Sequence, residues 1–513
     1  MNRFDSLRAL VSLVPCVTAL ALGTHAVAQV PAAALHAAAP ATSQTPAPAV
    51  ALVPAPSAPA ANGADPASPL PSNWQAPLPH GGTVAKLADW WRQFDDPLVA
   101  QLVTAAQAVS PDVASAAARI AQAEAVSTAA GAARLPAVNA SAGLARGRAD
   151  LFSPPATSLS AGVALNWELD ILGGQRAAQQ AALWRLAGAE ASWHGARVTV
   201  AADVASLYLA LRACEAQAAL DEAEHRSREH TARLTALTQQ AGLASGLQAS
   251  LAEAGAAQAS AQLRARRVQC AQAFQALRAL TGVPAPELTT QLAPRTGVLP
   301  VPAQLAVGSV PARVLGQRPD LFTAARAVEA AAADVREREA DRLPRVSLSG
   351  SLSAMGLRMQ GARFDGNVWS FGPLQVSLPL FDGGRRDAQV RAAQAAYDEA
   401  VAQYRGRLSQ AVKEVEDALT QTDQGALRHT DAERAAHHFA QALSATEAQA
   451  RAGLASHLEL EDARRNALAS QAAALATRRE RVDAWVALYR ALGGGWEASM
   501  LQEEKTIANN DAK

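Results

Sequence analysis

Few side chains in this 513-residue chain stand where they could do chemistry. His437-His438 and the other scattered histidines lack partners at metal-ligand spacing. Gly493-Gly494-Gly495 sits at a helix end without the lysine of a phosphate loop. Neither pattern indicates catalysis, so an enzyme, a metal site and a cofactor are all unexpected. The remaining reactive pair is Cys214 and Cys270, each 28 residues from Gly242. In an antiparallel hairpin turning at Gly242 the two thiols fall at one height. Each lies on an apolar stripe: Leu207, Leu211 and Cys214 on one arm, Leu263, Cys270 and Phe274 on the other. A disulfide clamping the arms is expected, with two small buried thiols as the alternative.

That hairpin belongs to a tandem repeat. Ser110 to Val138 aligns without gaps on Arg318 to Val346, and AGLAS recurs at Ala241–Ser245 and Ala452–Ser456. LRALTG (Leu277–Gly282) is echoed by YRALGG (Tyr489–Gly494), and ELDILGGQ by LFDGGRR. Each unit has one plan. A helix opens at Ser110-Pro111-Asp112 or Arg318-Pro319-Asp320 and stops at Arg-Leu-Pro, because proline disfavours helix in the residue before it. Two alternating segments follow. A Gly-Gly joint (Gly173-Gly174; Gly383-Gly384) then starts a long helix that turns at AGLAS and returns. From Gly174 to Gly242 is 68 residues and from Gly384 to Gly453 is 69. At 1.5 Å per residue each long helix runs roughly 100 Å. Each return arm is shorter, and stacking the opening helix on it end to end makes up the difference.

The alternating segments are expected to be strands near 136–148, 159–170, 345–357 and 369–380. Leu159, Ala161, Val163, Leu165, Trp167 and Leu169 oppose Ser160, Asn166, Glu168 and Asp170. Val346, Leu348, Leu352 and Ala354 oppose Ser347, Ser349, Ser351 and Ser353. Strands of about ten residues suit a tilted crossing of an outer membrane. Phe152, Phe364 and Trp369 are placed in the loops as interfacial aromatics. A half-buried hairpin on a soluble core would show the same alternation, but helix supplies nearly everything else and leaves no second sheet. Four strands cannot close a barrel, and open edges in lipid leave backbone groups unpaired. Copies must therefore combine: two would give eight strands, and three would give twelve with a lumen.

Composition and termini fit a secreted, helix-rich protein. Lys+Arg and Asp+Glu are 46 each, which implies no nucleic-acid partner, and aromatics are only 4%. Residues 1–28 are read as a signal peptide: Arg3 and Arg8, an apolar run, then Ala26-Val27-Ala28. Acylation at Cys16 is the alternative, disfavoured by Pro15. Residues 29–80 form an Ala/Pro-rich leader, 87–300 and 301–497 the two repeats with long hairpins 174–282 and 384–493, and 498–513 a tail.

Together Ala88–Val103, NWELDILGG (Asn166–Gly174), Leu315–Ala331, RLPRVSLSGSL (Arg342–Leu352), Phe381–Tyr404 and LYRALGGGW (Leu488–Trp496) resemble the TolC family of outer-membrane efflux proteins, in its NodT-like branch. The resemblance implies a mainly α fold with transmembrane β: a homotrimer whose twelve strands form a barrel in outer-membrane lipid, continuous with a periplasmic helical barrel. It implies a passive exit duct for drugs, small toxic compounds or metal ions. The partners would be a periplasmic adaptor (membrane fusion protein) and an inner-membrane RND transporter. A type I secretion duct and a pore-free periplasmic scaffold are the alternatives. The AGLAS tips match the family's adaptor-contacting turn: Gly242, Leu243 and Ser245 in one, Arg451, Gly453, Leu454 and Ser456 in the other. Glu447 aligns with an acidic position ringing the tunnel mouth in relatives, and is expected to gate it with Arg451.

Overall fold

Proline and acid signals place the helix starts where the backbone puts them. In a computed structural model that describes residues 90–91, 94, 96–148, 154–302, 316 and 318–496, α1 (Pro97–Val109) and α2 (Pro111–Ala132) both begin on proline. Asp96 caps α1 by accepting from the Leu98 N–H at 3.1 Å, and Ser110 caps α2 through Val113. Strands β1 (Ala137–Gly147) and β2 (Ala156–Leu169) lead into α3 (Gly174–Gln240), which turns into α4 (Gly246–Thr281). After α5 (Ala285–Leu292) the second repeat runs α6 (Pro319–Ala340), β3 (Arg345–Met359), β4 (Ala362–Ser377), α7 (Arg385–Arg451) and α8 (His457–Ala491). Both long helices have 67 residues. The signal peptide, the leader, Cys16, Phe152 and the tail lie outside the described residues.

The short helices stack on the return arms. A Cβ at Gly282, where α4 ends, would meet Val109 Cγ2 at 3.2 Å, just before α2 begins. Where α8 meets α6 the splice is a hydrogen bond: Arg318, the residue before α6, donates Nη1–H to the Ala491 carbonyl at 3.0 Å. That carbonyl is one of the orphan acceptors at a helix C-terminus. In each repeat two shorter helices thus run beside one long one.

The four strands form one antiparallel sheet in sequence order, β1-β2-β3-β4. Three boundaries differ from expectation by three residues or more. β2 starts at Ala156 rather than 159, and β4 starts at Ala362 rather than 369, so Phe364 and Trp369 lie inside a strand and not in a loop. The physical reason for the second shift is a two-residue turn. Gln360 (φ 50°) and Gly361 (φ 86°) both take left-handed conformations, the requirement of a tight hairpin matched to strand twist. Met359 therefore pairs at once with Ala362. β4 stops at Ser377, short of the expected 380, as Pro379 has no N–H to extend a ladder.

Register unites the faces. Leu144, Leu159, Val163, Leu165, Leu352 and Trp369 fall on one side through the pairs Leu144↔Leu159, Val163↔Leu352 and Leu352↔Trp369. Ser141, Ser160, Ser351, Ser353 and Ser370 fall on the other. β4 keeps its apolar face only because of a bulge. The β3–β4 register shifts between Leu348 and Gly350, opposite Gly372-Pro373, so the apolar parity passes from Trp369 and Phe371 to Leu374 and Val376. These side chains have no protein cover: Trp369 is 75% and Phe371 79% exposed.

The main core lies at mid-height along the long helices. Trp90, Trp91 and Phe94 pack with Val204, Tyr208, Leu277, Leu288, Val415, Leu419, Trp485 and Leu488. Tyr208 and Arg212 are held by hydrogen bonds inside it, while Trp485 Nε1 and Arg212 Nε are buried without a partner among the described residues. Tyr208 donates Oη–H to Asp96 at 2.6 Å, and burial with that bond pushes its phenol up to about 12. The buried Arg212 donates to Glu215 at 2.8 Å and to the Leu292 carbonyl at 2.7 Å, pinning α5 to α3.

Candidate functional site

Three features could serve function: the joints, the tips and the seam between the two helical hairpins. At the joints the two glycine pairs are not equivalent. In the first, only Gly173 (φ 82°) is left-handed and Gly174 already begins α3; in the second, Gly383 (φ 65°) and Gly384 (φ 85°) both are. Gly174 also sits close to a neighbour, since a Cβ there would lie 3.0 Å from Ala340 Cβ of α6.

Sequence reasoning credited the glycines and passed over the aspartate before each pair. The Asp170 carboxylate accepts the Gln175 and Arg176 N–H groups at 3.1 and 2.9 Å. Asp382 accepts from Gly384 and Arg386 N–H at 3.0 and 3.3 Å, and from the Arg386 guanidinium at 3.0 Å. Desolvation would raise the Asp382 pKa, but these bonds and the guanidinium outweigh it and hold the carboxyl below its usual range. Each aspartate covers the positive end of a long helix where it leaves the strand. The signal was present as the shared Asp of ELDILGG and LFDGG.

Both tips fold by one device. Gly242 (φ 74°) and Gly453 (φ 73°) end the long helices in the left-handed region. Leu243 N–H bonds back to the Thr238 carbonyl and Gly242 N–H to Gln239; Leu454 and Gly453 do the same to Gln449 and Ala450. This is the double bond set that closes a helix on a glycine. Ser245 and Ser456 then start the return arms, accepting from Gln248 and Glu459 N–H at 3.2 Å each, while Gln248 and Glu459 side chains reach back to the serine N–H. Gln248 and Glu459 were missed, although S-x-x-Q and S-x-x-E are legible signals. Leu243 and Leu454 stand 81% exposed at the two turns.

The seam joins α3 to α8. Ser227 donates Oγ–H to the buried Glu461, and the His230 and His457 rings lie 6.0 Å apart. Glu447 on α7 pairs with Arg464 of α8 at 3.6 Å, and Arg464 also binds Glu461 at 2.8 Å. Arg451, the gate partner named from sequence, instead gives its Nε–H to the Glu447 backbone carbonyl at 3.2 Å. Cys214 and Cys270 are joined across α3 and α4, with Cα atoms 5.5 Å apart. Among the described residues no three His, Cys, Asp or Glu side chains are grouped to hold a metal ion. None of the described helices is long and apolar enough to cross a membrane.

An uncovered apolar sheet carrying two helical hairpins of this length defines an outer-membrane channel subunit rather than a globular domain. The profile of the outer membrane efflux protein family matches residues 102–283 and 310–494, and the chain belongs to that family. It is 34% identical to outer membrane protein OprJ of Pseudomonas aeruginosa, over 67% of this chain and 72% of that one. It is 27% identical to nodulation protein T of Rhizobium leguminosarum bv. viciae, over 88% and 93%. The solved outer-membrane channel OprN superposes with a TM-score of 0.72 at 28% identity, covering 84% of this chain and 99% of that one. The protein is an outer-membrane efflux component of the TolC/NodT type, with a large periplasmic helical part.

Proposed function

We propose that the chain works as a homotrimeric exit duct. The observation that carries this reading is the open sheet: an apolar face without protein cover and two unpaired edge strands, β1 and β4. In lipid those edges must be paired, and pairing β4 of one copy with β1 of the next closes twelve strands around a serine-lined lumen. Six long and twelve short helices continue the wall below it. The tips at Leu243 and Leu454 dock on a periplasmic adaptor, which links the duct to an inner-membrane RND transporter. Drugs, small toxic compounds or metal ions then leave passively, without chemistry on the chain. Glu447, Arg464 and Glu461 form the reversible part of the tunnel mouth.

Two measurements test the reading. Cysteines placed at Val138 on β1 and Leu374 on β4 should cross-link between copies and yield a covalent trimer. The trimer should conduct in planar bilayers, and Glu447→Gln should raise its open probability. A monomer in the membrane fraction, or a trimer without conductance, would overturn the proposal.

A further inference from the structure

The strand register places an arginine row just beyond the apolar band of β2 and β3. On edge strand β4 the same face carries Asn367 and Asp365 before the row is reached. On the lipid-side face, apolar residues of β2 run from Leu169 to Leu159, partnered by Val346 to Gly356 on β3. Ten residues cover roughly 33 Å along a strand, or about 25 Å of membrane thickness at the usual tilt, the height of the apolar belt of outer-membrane barrels. The next row outward on the same face is Arg146–Thr157–Arg358–Arg363, one residue from each strand: Arg146 pairs with Thr157, Thr157 with Arg358 and Arg358 with Arg363. It lies at the hairpin end, away from the helices, and so faces the outer leaflet.

Three guanidiniums in one row are an electrostatic cost. Arg358 and Arg363 are directly opposite across β3 and β4, and like charges so placed destabilise a strand pair. Asp365 relieves only part of this, accepting from Arg363 Nε–H at 2.7 and 3.1 Å. Among the described residues no carboxylate pairs with Arg146 or Arg358, and all three arginines are exposed. The row needs anions, and its place fixes their source. A flat, multidentate cationic edge directly above an acyl-facing surface suits phosphates held at the top of a lipid.

We propose that Arg146, Arg358 and Arg363 form a binding edge for the phosphate groups of the phosphorylated glycolipid that makes up the outer leaflet. The proposal rests on the membrane orientation given above, not on conduction. Guanidinium forks take phosphate oxygens in pairs, so the row fixes the height of the barrel in the membrane while relieving its own repulsion.

The test uses the assembled full-length protein in detergent, titrated with a bisphosphorylated diglucosamine lipid or with the same lipid freed of phosphate. The phosphorylated form should bind at least about tenfold more tightly, the equivalent of one or two charge-assisted contacts. The triple variant R146Q/R358Q/R363Q should lose that preference yet conduct as the parent does, and the triple lysine variant should keep part of it. In lipid-free detergent Arg358→Gln should not lower thermal stability, because it removes a like-charge pair. Equal binding of the two lipids, an unchanged preference in the glutamine variant, or a stability loss in Arg358→Gln would overturn the proposal. So would displacement of the lipid by millimolar inorganic phosphate alone, which would mark a free-anion site. Failure of the parent to conduct would sink the duct reading and leave this binding result untouched.

Discussion

The two helical hairpins share one plan and differ in how they are held. The first, α3 with α4, is tied covalently by Cys214–Cys270 and ends in a tip without a charged residue from 235 to 250. The second, α7 with α8, has no such tie, and its tip from 446 to 462 carries Glu447, Arg451, His457, Glu459, Glu461 and Asp462. The first hairpin is fixed by a bond that thermal motion cannot open. The second is held to it by side-chain contacts, Ser227–Glu461 and the His230–His457 ring pair, and is braced by Glu447–Arg464 within itself. Surface ion pairs of that kind contribute up to about 1 kcal/mol each. The two hairpins share a mid-height core, and beyond it the first carries the covalent tie and the second the charged tip.

Breaking the covalent tie is expected to have the largest effect. The disulfide closes a loop of 56 residues, for which chain entropy gives about 4 kcal/mol of stabilisation. The Cys214→Ala/Cys270→Ala variant should lose hydrogen-exchange protection along α4 while α8 keeps its own. Equal loss in both hairpins would show that they unfold as one unit and that the contrast is only local.

The helix splices offer a second, smaller contrast. Ser110 and Arg318 are equivalent by alignment, yet Ser110 caps only its own helix while Arg318 also binds Asp320, Glu414 and the Ala491 carbonyl. Arg318 is nearly buried while its carboxylate partners Asp320 and Glu414 are 36% and 39% exposed. Arg318→Ala therefore leaves one buried carbonyl unpaired and two partly hydrated carboxylates, and should cost about 2 kcal/mol. Ser110→Ala should cost about 1 kcal/mol. Chemical denaturation of the single variants checks the ratio. Desolvation raises the Asp320 pKa, but Arg318 more than offsets it and the net shift is downward. A depressed carboxylate stabilises above its unfolded pKa of about 4 and loses that contribution as pH falls through the folded value. As pH falls below about 4 the gap between parent and Arg318→Ala should therefore narrow.

Much of this organisation is legible in the sequence because it rests on local signals. Glycines at the tips, prolines at the helix starts and period-two serines each dictate backbone locally, and the repeat shows every signal twice. What escaped depends on partners far along the chain. Nothing local in Arg212 or Arg318 announces a bond to Leu292 or Ala491, and Glu447 reads as a partner for Arg451 because Arg464 is distant in sequence. The β4 boundary was missed for a nearer reason: Gln360 supplies half of a turn that composition assigns to glycine or asparagine, and the bulge at Gly372-Pro373 breaks the alternation that would have revealed the strand.

The smallest expected effect separates the tips themselves. Both use a serine capping box, so Ser245→Ala and Ser456→Ala should each cost about 1 kcal/mol at neutral pH. The boxes differ in what closes them: Gln248 is neutral at every pH, while Glu459 titrates. Hydrogen bonds from Ser456, first its N–H and then its hydroxyl, hold the Glu459 carboxyl below the usual range. Its contribution is thus present above the unfolded pKa of about 4.3 and disappears as pH falls through the depressed folded value. Amide exchange at Ser456 should speed up on acidification beyond the intrinsic trend, while exchange at Ser245 follows that trend. Glu459→Gln should make the second tip behave like the first. If acid loosened both tips equally, the charge of the second would have no part in holding its turn.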